Sequence, residues 1–190
     1  MVSEKVRGFE IVQAYQDKSI QLPQRQTHHS AGYDLEAAEE VILEPVWKQS
    51  VKYCFQVIGN TFAAKDKKRL LPKQLWKATL VPTGLKVYMQ EDEYLKIVNR
   101  SSGFYKHKTS LPNGIGIVDQ DYYNNPNNEG HIYVQLLNFG PKDRVIKKGE
   151  RIAQAIFSKY LCVDDDQPVN QARSGGFGSS DETSDQERKD

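Results

Sequence analysis

An apolar run that ends in acidic and aromatic residues is the first candidate for chemistry in this sequence. The run "GIGIVDQDYY" begins with Gly114 and Gly116 and continues to Asp119, Asp121 and Tyr122. A carboxylate at the end of a strand can accept a proton from water, and a neighbouring ring can form one wall of a small pocket. Aspartate in a turn, however, commonly bonds its own backbone, so these residues taken alone favour a structural role.

A second candidate, "NRSSGFYKHK", combines groups that suit a phosphate. Arg100 offers a planar fork of donors, Ser101 and Ser102 offer hydroxyls, and Gly103 lets backbone amides come close to an anion. A polar turn between strands explains the same residues equally well. The pattern therefore leaves a phosphate site and a simple turn equally open.

Three other polar features are weaker. In "KKGERIAQAIF", Gln154 follows a turn at Gly149, and the run on its own resembles an ordinary hairpin. His28 and His29 have no carboxylate or cysteine at ligand spacing, so exposed loop histidines are favoured over a metal site. The glycine-rich "ARSGGFGSSD" is not a Walker loop, because no lysine follows Gly178.

The elements that must position these residues are short and β-prone. Runs such as "FEIVQAY", "ATLVPTGLKVYM" and "HIYVQLLNFG" are separated by proline, glycine and asparagine. In the last run, Ile132, Val134 and Leu136 fall on one side and Tyr133, Gln135 and Leu137 on the other, which is typical of a strand with one buried face. Many short strands with frequent turns predict an all-β sandwich, jelly roll or barrel.

Two parts of the chain depart from this pattern. Residues 45–77 carry Trp47, Trp76, the basic run "KDKKR" and the loosely helical "LLPKQLWKA", and we interpret them as an insertion between strands. Residues 162–190 turn polar and acidic, and we expect a mobile tail there. The predicted β-domain is therefore 1–161.

Composition narrows the class of protein. The 190 residues carry a formal net charge of +1, spread along the chain, so neither nucleic acid nor an anionic membrane is a predicted partner. No apolar run is long enough to span a bilayer, and the sequence predicts a cytoplasmic protein. Cys54 and Cys162 lie far apart, and we expect both to be reduced and packed.

Taken in order, these segments resemble the trimeric dUTPase family through five motifs. The five motifs are "AGYDL" from Ala31, "RSSG" from Arg100, "GIVDQDYY" after Asn113, "GERIAQ" from Gly149 and "RSGGFGSS" from Arg173. The run "LVPTGL", Leu80 to Leu85, lies between the first motif and the second. The resemblance implies a jelly-roll or barrel fold, a homotrimer with shared sites, and Mg²⁺-dependent hydrolysis of dUTP to dUMP and pyrophosphate.

The resemblance also implies roles for single residues. Asp119 matches the base that activates water for attack on the α-phosphorus, and Tyr122 matches the ring that packs on the sugar. Asn113, with the strand backbone around Gly116, matches the uracil-binding position. The positions that match phosphate contacts or their support are Arg100, Ser101, Ser102, Gly103 and Gln154.

Metal and arm positions follow from the same resemblance. Asp34 matches an acidic residue that organises the Mg²⁺ site indirectly, mainly through the substrate phosphates. The C-terminal segment matches a mobile arm whose ring stacks on uracil while its polar groups hold phosphate. The arm residues so implied are Arg173, Phe177, Gly178, Ser179 and Ser180.

Departures from the family pattern keep two alternatives open. Ser102 stands where the family commonly has glycine, and Arg173 lies one residue closer to Phe177 than is common. A dCTP deaminase shares the fold and often the "RSS" motif, although we would expect a catalytic glutamate in it. A nucleotide-sensing protein that binds a partner through the 45–77 insertion is the other alternative.

Overall fold

The computed structural model describes residues 5–63 and 75–167, and short strands dominate these residues. Two helices accompany them, α1 (Val46–Ala63) and α2 (Ser101–His107), with 3-10 turns at Gln13–Tyr15 and Gln120–Tyr122. The strands are β1 (Gly8–Ile11), β2 (Tyr33–Glu36), β3 (Val41–Leu43), β4 (Thr79–Pro82), β5 (Leu85–Tyr88), β6 (Glu93–Val98), β7 (Thr109–Ser110), β8 (Ile115–Asp119), β9 (Tyr133–Asn138), β10 (Arg144–Ile146) and β11 (Arg151–Lys159).

These strands pair in four small sheets. The largest has the order β2-β11-β6-β8, a second has the order β4-β9-β7, and β1-β5 and β10-β3 form two-stranded ribbons. Every pairing within them is antiparallel. The predicted all-β fold is confirmed, and β8 is left as an edge strand of the largest sheet.

A large apolar core joins the sheets, and a small second cluster is formed by Val12, Tyr15 and Ala38. Ile132, Val134 and Leu136 are buried as their alternation predicts, while Tyr133 and Gln135 between them are half-buried. Strands β2, β5 and β6 contribute Leu35, Leu85 and Leu95, which are fully buried in the same cluster. Burial on this scale stabilises a fold by roughly 25 cal/mol per Å² of apolar surface, which is why the short strands hold together.

The insertion contains the longest helix of the described residues. Helix α1 begins directly after Pro45, whereas most of the stretch where we noted helical spacing lies outside the described residues. The two ends of the insertion are joined by hydrogen bonds between Gln49 and Lys77. The Gln49 Oε1 accepts from the Lys77 amide at 2.7 Å, and the Gln49 Nε2 donates to the Lys77 carbonyl at 3.3 Å. The strands on either side therefore meet at a fixed junction.

The exposure of the two cysteines differs from what the sequence predicted. Cys54 and Cys162 are unpaired, as predicted for a reduced protein, but both are exposed rather than packed. Cys54 lies on the outer side of α1, and Cys162 follows the end of β11, where the core no longer covers the chain. No helix within the described residues is long and apolar enough to cross a membrane.

A buried histidine holds the turn between β4 and β5. His131 is 5% exposed, and its Nε2 accepts from the Gly84 amide at 2.9 Å. A backbone N–H can only donate, so this ring nitrogen carries no proton and the imidazole is neutral. Burial lowers the pKa of His131 from 6.5 to about 4, against the weaker opposing effect of Glu129.

The His131 shift predicts a loss of stability in mild acid. As pH falls below the pKa that His131 has in the unfolded chain, the unfolded chain binds a proton that the folded chain does not bind. The free energy of unfolding therefore falls by about 2 kcal/mol from about pH 7.5 to about pH 5. His131→Gln keeps an acceptor for Gly84 and does not titrate. Urea unfolding at both pH values is expected to show a smaller loss of unfolding free energy for this variant than for the wild-type protein. Equal losses in the two proteins would contradict the assignment of the shift to His131.

Candidate active site

The register of the largest sheet brings the candidate segments to one end. Asp34 pairs with Gln154, Gln154 with Val98, and Val98 with Ile115. Because neighbouring strands run in opposite directions, the residues after Val98 and those before Ile115 leave the sheet at the same end. The arginine-serine segment and the turn before β8 therefore lie beside one another.

Asp34 is the most highly connected polar residue of this end. It is 4% exposed, its Oδ1 accepts from the Arg100 Nε at 3.2 Å and the Gln154 Nε2 at 3.3 Å, and its Oδ2 accepts from the Arg151 Nη1 at 3.2 Å. A buried carboxylate needs such partners, because an unpaired charge in the interior costs several kcal/mol. The three side chains are thereby fixed relative to one another.

Gly32 explains why Gln154 can reach this carboxylate. A Cβ at position 32 would lie 3.3 Å from both the Cβ and the Cδ of Gln154, which is tighter than ordinary contact. The absence of a side chain lets Gln154 pack against the backbone just before β2. The glycine and the aspartate of "AGYDL" therefore serve the same arrangement.

The arginine-serine segment forms the start of a short helix. Arg100 precedes α2 in an extended conformation, and Ser101, Ser102 and Gly103 make its first turn. Ser101 is exposed, whereas Arg100, Ser102 and Gly103 line a narrow crevice with residues of β10 and β11. The structure therefore shows the first turn of a helix here, rather than the simple polar turn between strands that the sequence left open.

Asn99 connects this segment with the turn before β8. Its Oδ1 accepts from the Leu111 amide at 3.0 Å, and its Nδ2 donates to the Ser110 Oγ at 3.2 Å. In the turn that follows, Gly114 has a φ of +70°, a conformation in which glycine is not strained. Asn99 thus fixes the approach to Asn113.

A cavity of about 240 Å³ lies between β8 and β9. Asn113, Gly116 and Tyr122, which belong to one short stretch of the sequence, all line it, together with His131 and Tyr133. Gly116 pairs with Ile97, and a Cβ on it would lie 3.3 Å from the Ile97 Cβ, so the close packing here favours glycine. The cavity is mostly apolar, with a few polar groups at its wall, which is typical of a site for a small ligand.

Asp119 lies at the far end of β8 from Asn113. It is half-buried, pairs with Tyr94 across the sheet, and precedes the 3-10 turn that carries Tyr122 back to the cavity. It also lines an open depression with Tyr94 and Tyr160. The structure therefore separates the candidates into the cavity group, the Asp34 group and Asp119.

Other sequence candidates add no metal site among the described residues. These residues contain no group of three or more histidine, cysteine, aspartate or glutamate side chains that could hold a metal ion. His28 and His29 are exposed, as expected. The candidates outside the described residues are Arg173, Phe177, Gly178, Ser179 and Ser180.

Three residues with clear positions at the site were missed from the sequence. Arg151 binds Asp34 and its carbonyl accepts from Arg100, Asn99 fixes the turn before Asn113, and Asn128 donates to the Tyr122 hydroxyl. Only the strand register could have assigned Arg151 to Asp34. The two asparagines carry no pattern that distinguishes them from loop residues.

Comparison with known proteins gives one consistent family. The family model described as dUTPase matches residues 63–181. The deoxyuridine 5′-triphosphate nucleotidohydrolase of Lactococcus lactis is 42% identical over 177 residues, covering 93% of this chain and 98% of the relative. The enzyme of the same name from Rickettsia conorii is 34% identical over 163 residues, covering 84% and 87%.

Solved structures agree with the sequence comparison. The crystal structure of dUTPase from Streptococcus mutans has a TM-score of 0.64 and 37% identity, covering 83% of this chain and 98% of that one. The dUTPase of the Staphylococcus aureus phage phi11 has a TM-score of 0.58 at 14% identity, covering 87% and 97%, which supports the fold alone. The expected jelly-roll architecture is confirmed.

Removal of the Asp34 charge is expected to weaken this end of the sheet. Asp34→Asn leaves two arginines without their common carboxylate, and we expect the free energy of unfolding to fall by about 3 kcal/mol. Asp143→Asn removes the exposed ion pair with Lys48 and serves as the control, with an expected loss below about 1 kcal/mol. Equal losses in urea unfolding at one protein concentration would contradict a central role for Asp34.

Proposed function

The chain belongs to the dUTPase family and hydrolyses dUTP, and we propose that Asp119 activates the attacking water while the cavity between β8 and β9 binds uracil. The observation that carries this proposal is the convergence of Asn113, Gly116 and Tyr122 on one cavity beside the strand that ends in Asp119. An amide side chain and the backbone at a glycine can pair with the polar edge of a pyrimidine. The Tyr122 ring would then face the sugar.

The Asp34 group supplies the phosphate side of the proposal. Asp34 holds Arg100 and Gln154 by direct hydrogen bonds, and Ser101 stands exposed next to Arg100. Side chains held in advance lose little entropy when an anion arrives, so they are suited to a developing negative charge. Ser102 and Gly103 line the adjoining crevice and complete the proposed phosphate contacts.

The proposed cofactor is Mg²⁺, held mainly by the triphosphate. The Asp34 oxygens already accept from arginine and glutamine, so its role toward the metal is indirect. This donor set fits a magnesium ion whose ligands are largely phosphate and water oxygens. When bound, Mg²⁺ supplies positive charge that offsets the charge developing on the phosphates.

We further propose a homotrimer whose subunits share each site. The uracil cavity and the phosphate crevice have separate linings in one chain, so a second copy can bring the two halves together. Ile115 and Ile117 on edge strand β8 are about half exposed, and such apolar edges are commonly covered by a partner. The 172–180 segment would close over the nucleotide as an arm.

The dCTP deaminase alternative has less support. That reaction attacks the base, whereas the proposed base Asp119 belongs to an aspartate-tyrosine pair of the type expected for attack on phosphorus. The relatives that match almost the whole chain are dUTP nucleotidohydrolases.

Asp119→Asn tests the proposed base directly. We expect turnover of dUTP to fall by more than about a thousandfold, while dUTP affinity stays within about tenfold, because the base acts mainly in the transition state. Pyrophosphate release from dUTP, dCTP, dTTP and UTP, with Mg²⁺ and with chelator, measures activity and selectivity together. Full activity in the variant would refute the role of Asp119.

The same variant tests whether the sites are shared. Asp119→Asn co-expressed with Gln154→Ala forms mixed assemblies in which some sites combine an intact Asp119 from one copy with an intact Gln154 from another. Activity is expected to return well above that of either variant alone. No recovery from assemblies shown to be mixed would mean that each site lies within one chain.

A second, added function is favoured by the surface of the insertion. Trp47, Val51, Phe55 and Ile58 recur every three or four residues along α1, and each is between 46% and 69% exposed. We propose that this apolar stripe contacts another protein. Lys48 and Lys52 beside it are paired with Asp143 and Glu44, so the stripe is flanked by neutralised charges.

Deletion of residues 46–73 tests this second function. The deletion is expected to remove specific protein partners in pull-down experiments while dUTP hydrolysis and assembly persist, because the core lies outside the insertion. Phe55→Ser provides a smaller change with the same expected loss of binding. Unchanged pull-down partners in both proteins would refute a role for the stripe in binding.

A further inference from the structure

The hydroxyl end of the Tyr122 ring is held by two neighbours. Tyr122 is 6% exposed, its hydroxyl donates to the His131 carbonyl at 3.1 Å and accepts from the Asn128 Nδ2 at 2.6 Å. Each bond has a defined direction, so the pair restricts tilting of the ring. The Tyr122 side chain also lines the cavity.

The orientation of the Asn128 amide is fixed by the loop itself. Its Oδ1 accepts from the Gly130 amide at 3.1 Å and from the Asn125 Nδ2 at 2.8 Å. Since a backbone N–H can only donate, the oxygen must face Gly130 and the nitrogen must face Tyr122. Asn128 is therefore oriented as a donor to the ring hydroxyl.

The loop of residues 124–130 is tied to the body of the protein by a buried cation. The Lys86 ammonium donates to the Asn124 Oδ1 at 2.7 Å and to the Glu129 Oε1 at 2.6 Å. The other Glu129 oxygen accepts from the Gln13 amide at 2.9 Å. The loop is thus anchored at both ends, on either side of Asn128.

Backbone conformation points to the same anchoring. Asn124 and Glu129 have positive φ values of 55° and 62°, and for glutamate this conformation is uncommon. Gly130 packs so closely that a Cβ would lie 2.7 Å from the Tyr122 carbonyl oxygen. Strain of this kind persists only where surrounding contacts enforce it. Here those contacts hold the loop against Tyr122.

We propose that Asn128 is a positioning residue that sets how well the enzyme distinguishes dUTP from UTP. The inference rests on the proposed packing of Tyr122 against the sugar. A ring fixed at its hydroxyl end cannot move aside for the additional 2′-hydroxyl of a ribonucleotide. Without Asn128 the ring gains freedom, so UTP is accepted more readily while dUTP, which needs no extra room, is affected less.

Two substitutions at Asn128 separate its donor from its other contacts. Asn128→Leu keeps the branched shape and removes the polar contacts of the side chain, whereas Asn128→Asp keeps an acceptor for Gly130 and Asn125 and replaces the donor to Tyr122 with a carboxylate oxygen. We expect both variants to lower the ratio of dUTP to UTP kcat/KM by about three- to tenfold, the effect of one hydrogen bond. The matched control is Asn127→Ala, an exposed neighbour in the same loop, with an unchanged ratio.

A double-mutant cycle with Tyr122→Phe decides whether the effect passes through the hydroxyl. We expect Tyr122→Phe to lower the ratio similarly, and the Asn128 substitutions to add nothing in that background. An unchanged ratio in both Asn128 variants, or full additivity with Tyr122→Phe, overturns the inference. A wild-type protein that hydrolyses dUTP but does not discriminate against UTP also overturns it, while absence of dUTP hydrolysis would refute the proposed function itself.

Discussion

One buried carboxylate organises the polar end of this β-fold. Asp34 would be costly without partners, and Arg100, Arg151 and Gln154 supply them from the segment after β6 and from β11. The same bonds that satisfy the buried charge also fix the side chains proposed to meet phosphate. Stability and substrate contact are therefore coupled at this position. Gly32 belongs to the same constraint, because a Cβ at this position would crowd the Gln154 side chain.

The other half of the site depends on β8 and the loop that follows it. A single strand presents Gly116 to the cavity and Asp119 at its end, and the 3-10 turn then returns Tyr122 to the cavity wall. Such a short path gives accurate spacing but little intrinsic stiffness. The stiffness comes from the 124–130 loop, whose asparagines satisfy one another and whose ends bind Lys86. The proposed recognition of base and sugar thus rests on contacts that do not themselves touch the cavity.

Much of the fold could be predicted from the sequence, because alternation and turn residues are local signals. Ile132, Val134 and Leu136 show this well, being buried as their spacing indicates. The candidate site was predicted through motif order, since Asn113 and Tyr122 share no local pattern that places them in one cavity. Contacts set by long-range register, such as Arg151 with Asp34, had no sequence signal. The prediction that Cys54 and Cys162 are packed was wrong, because composition describes average burial, whereas these two positions lie outside the core.

The Gln49 clamp across the ends of the insertion has an evolutionary consequence. Two hydrogen bonds between Gln49 and Lys77 close the segment at its base, so the chain leaves and rejoins the β-fold at one place whatever lies between these two residues. Lengthening a loop that is already closed adds little entropic cost. The junction therefore behaves as a graft point, where lineages can exchange one helical segment for another without re-optimising the catalytic body, and where an engineer could place a foreign domain.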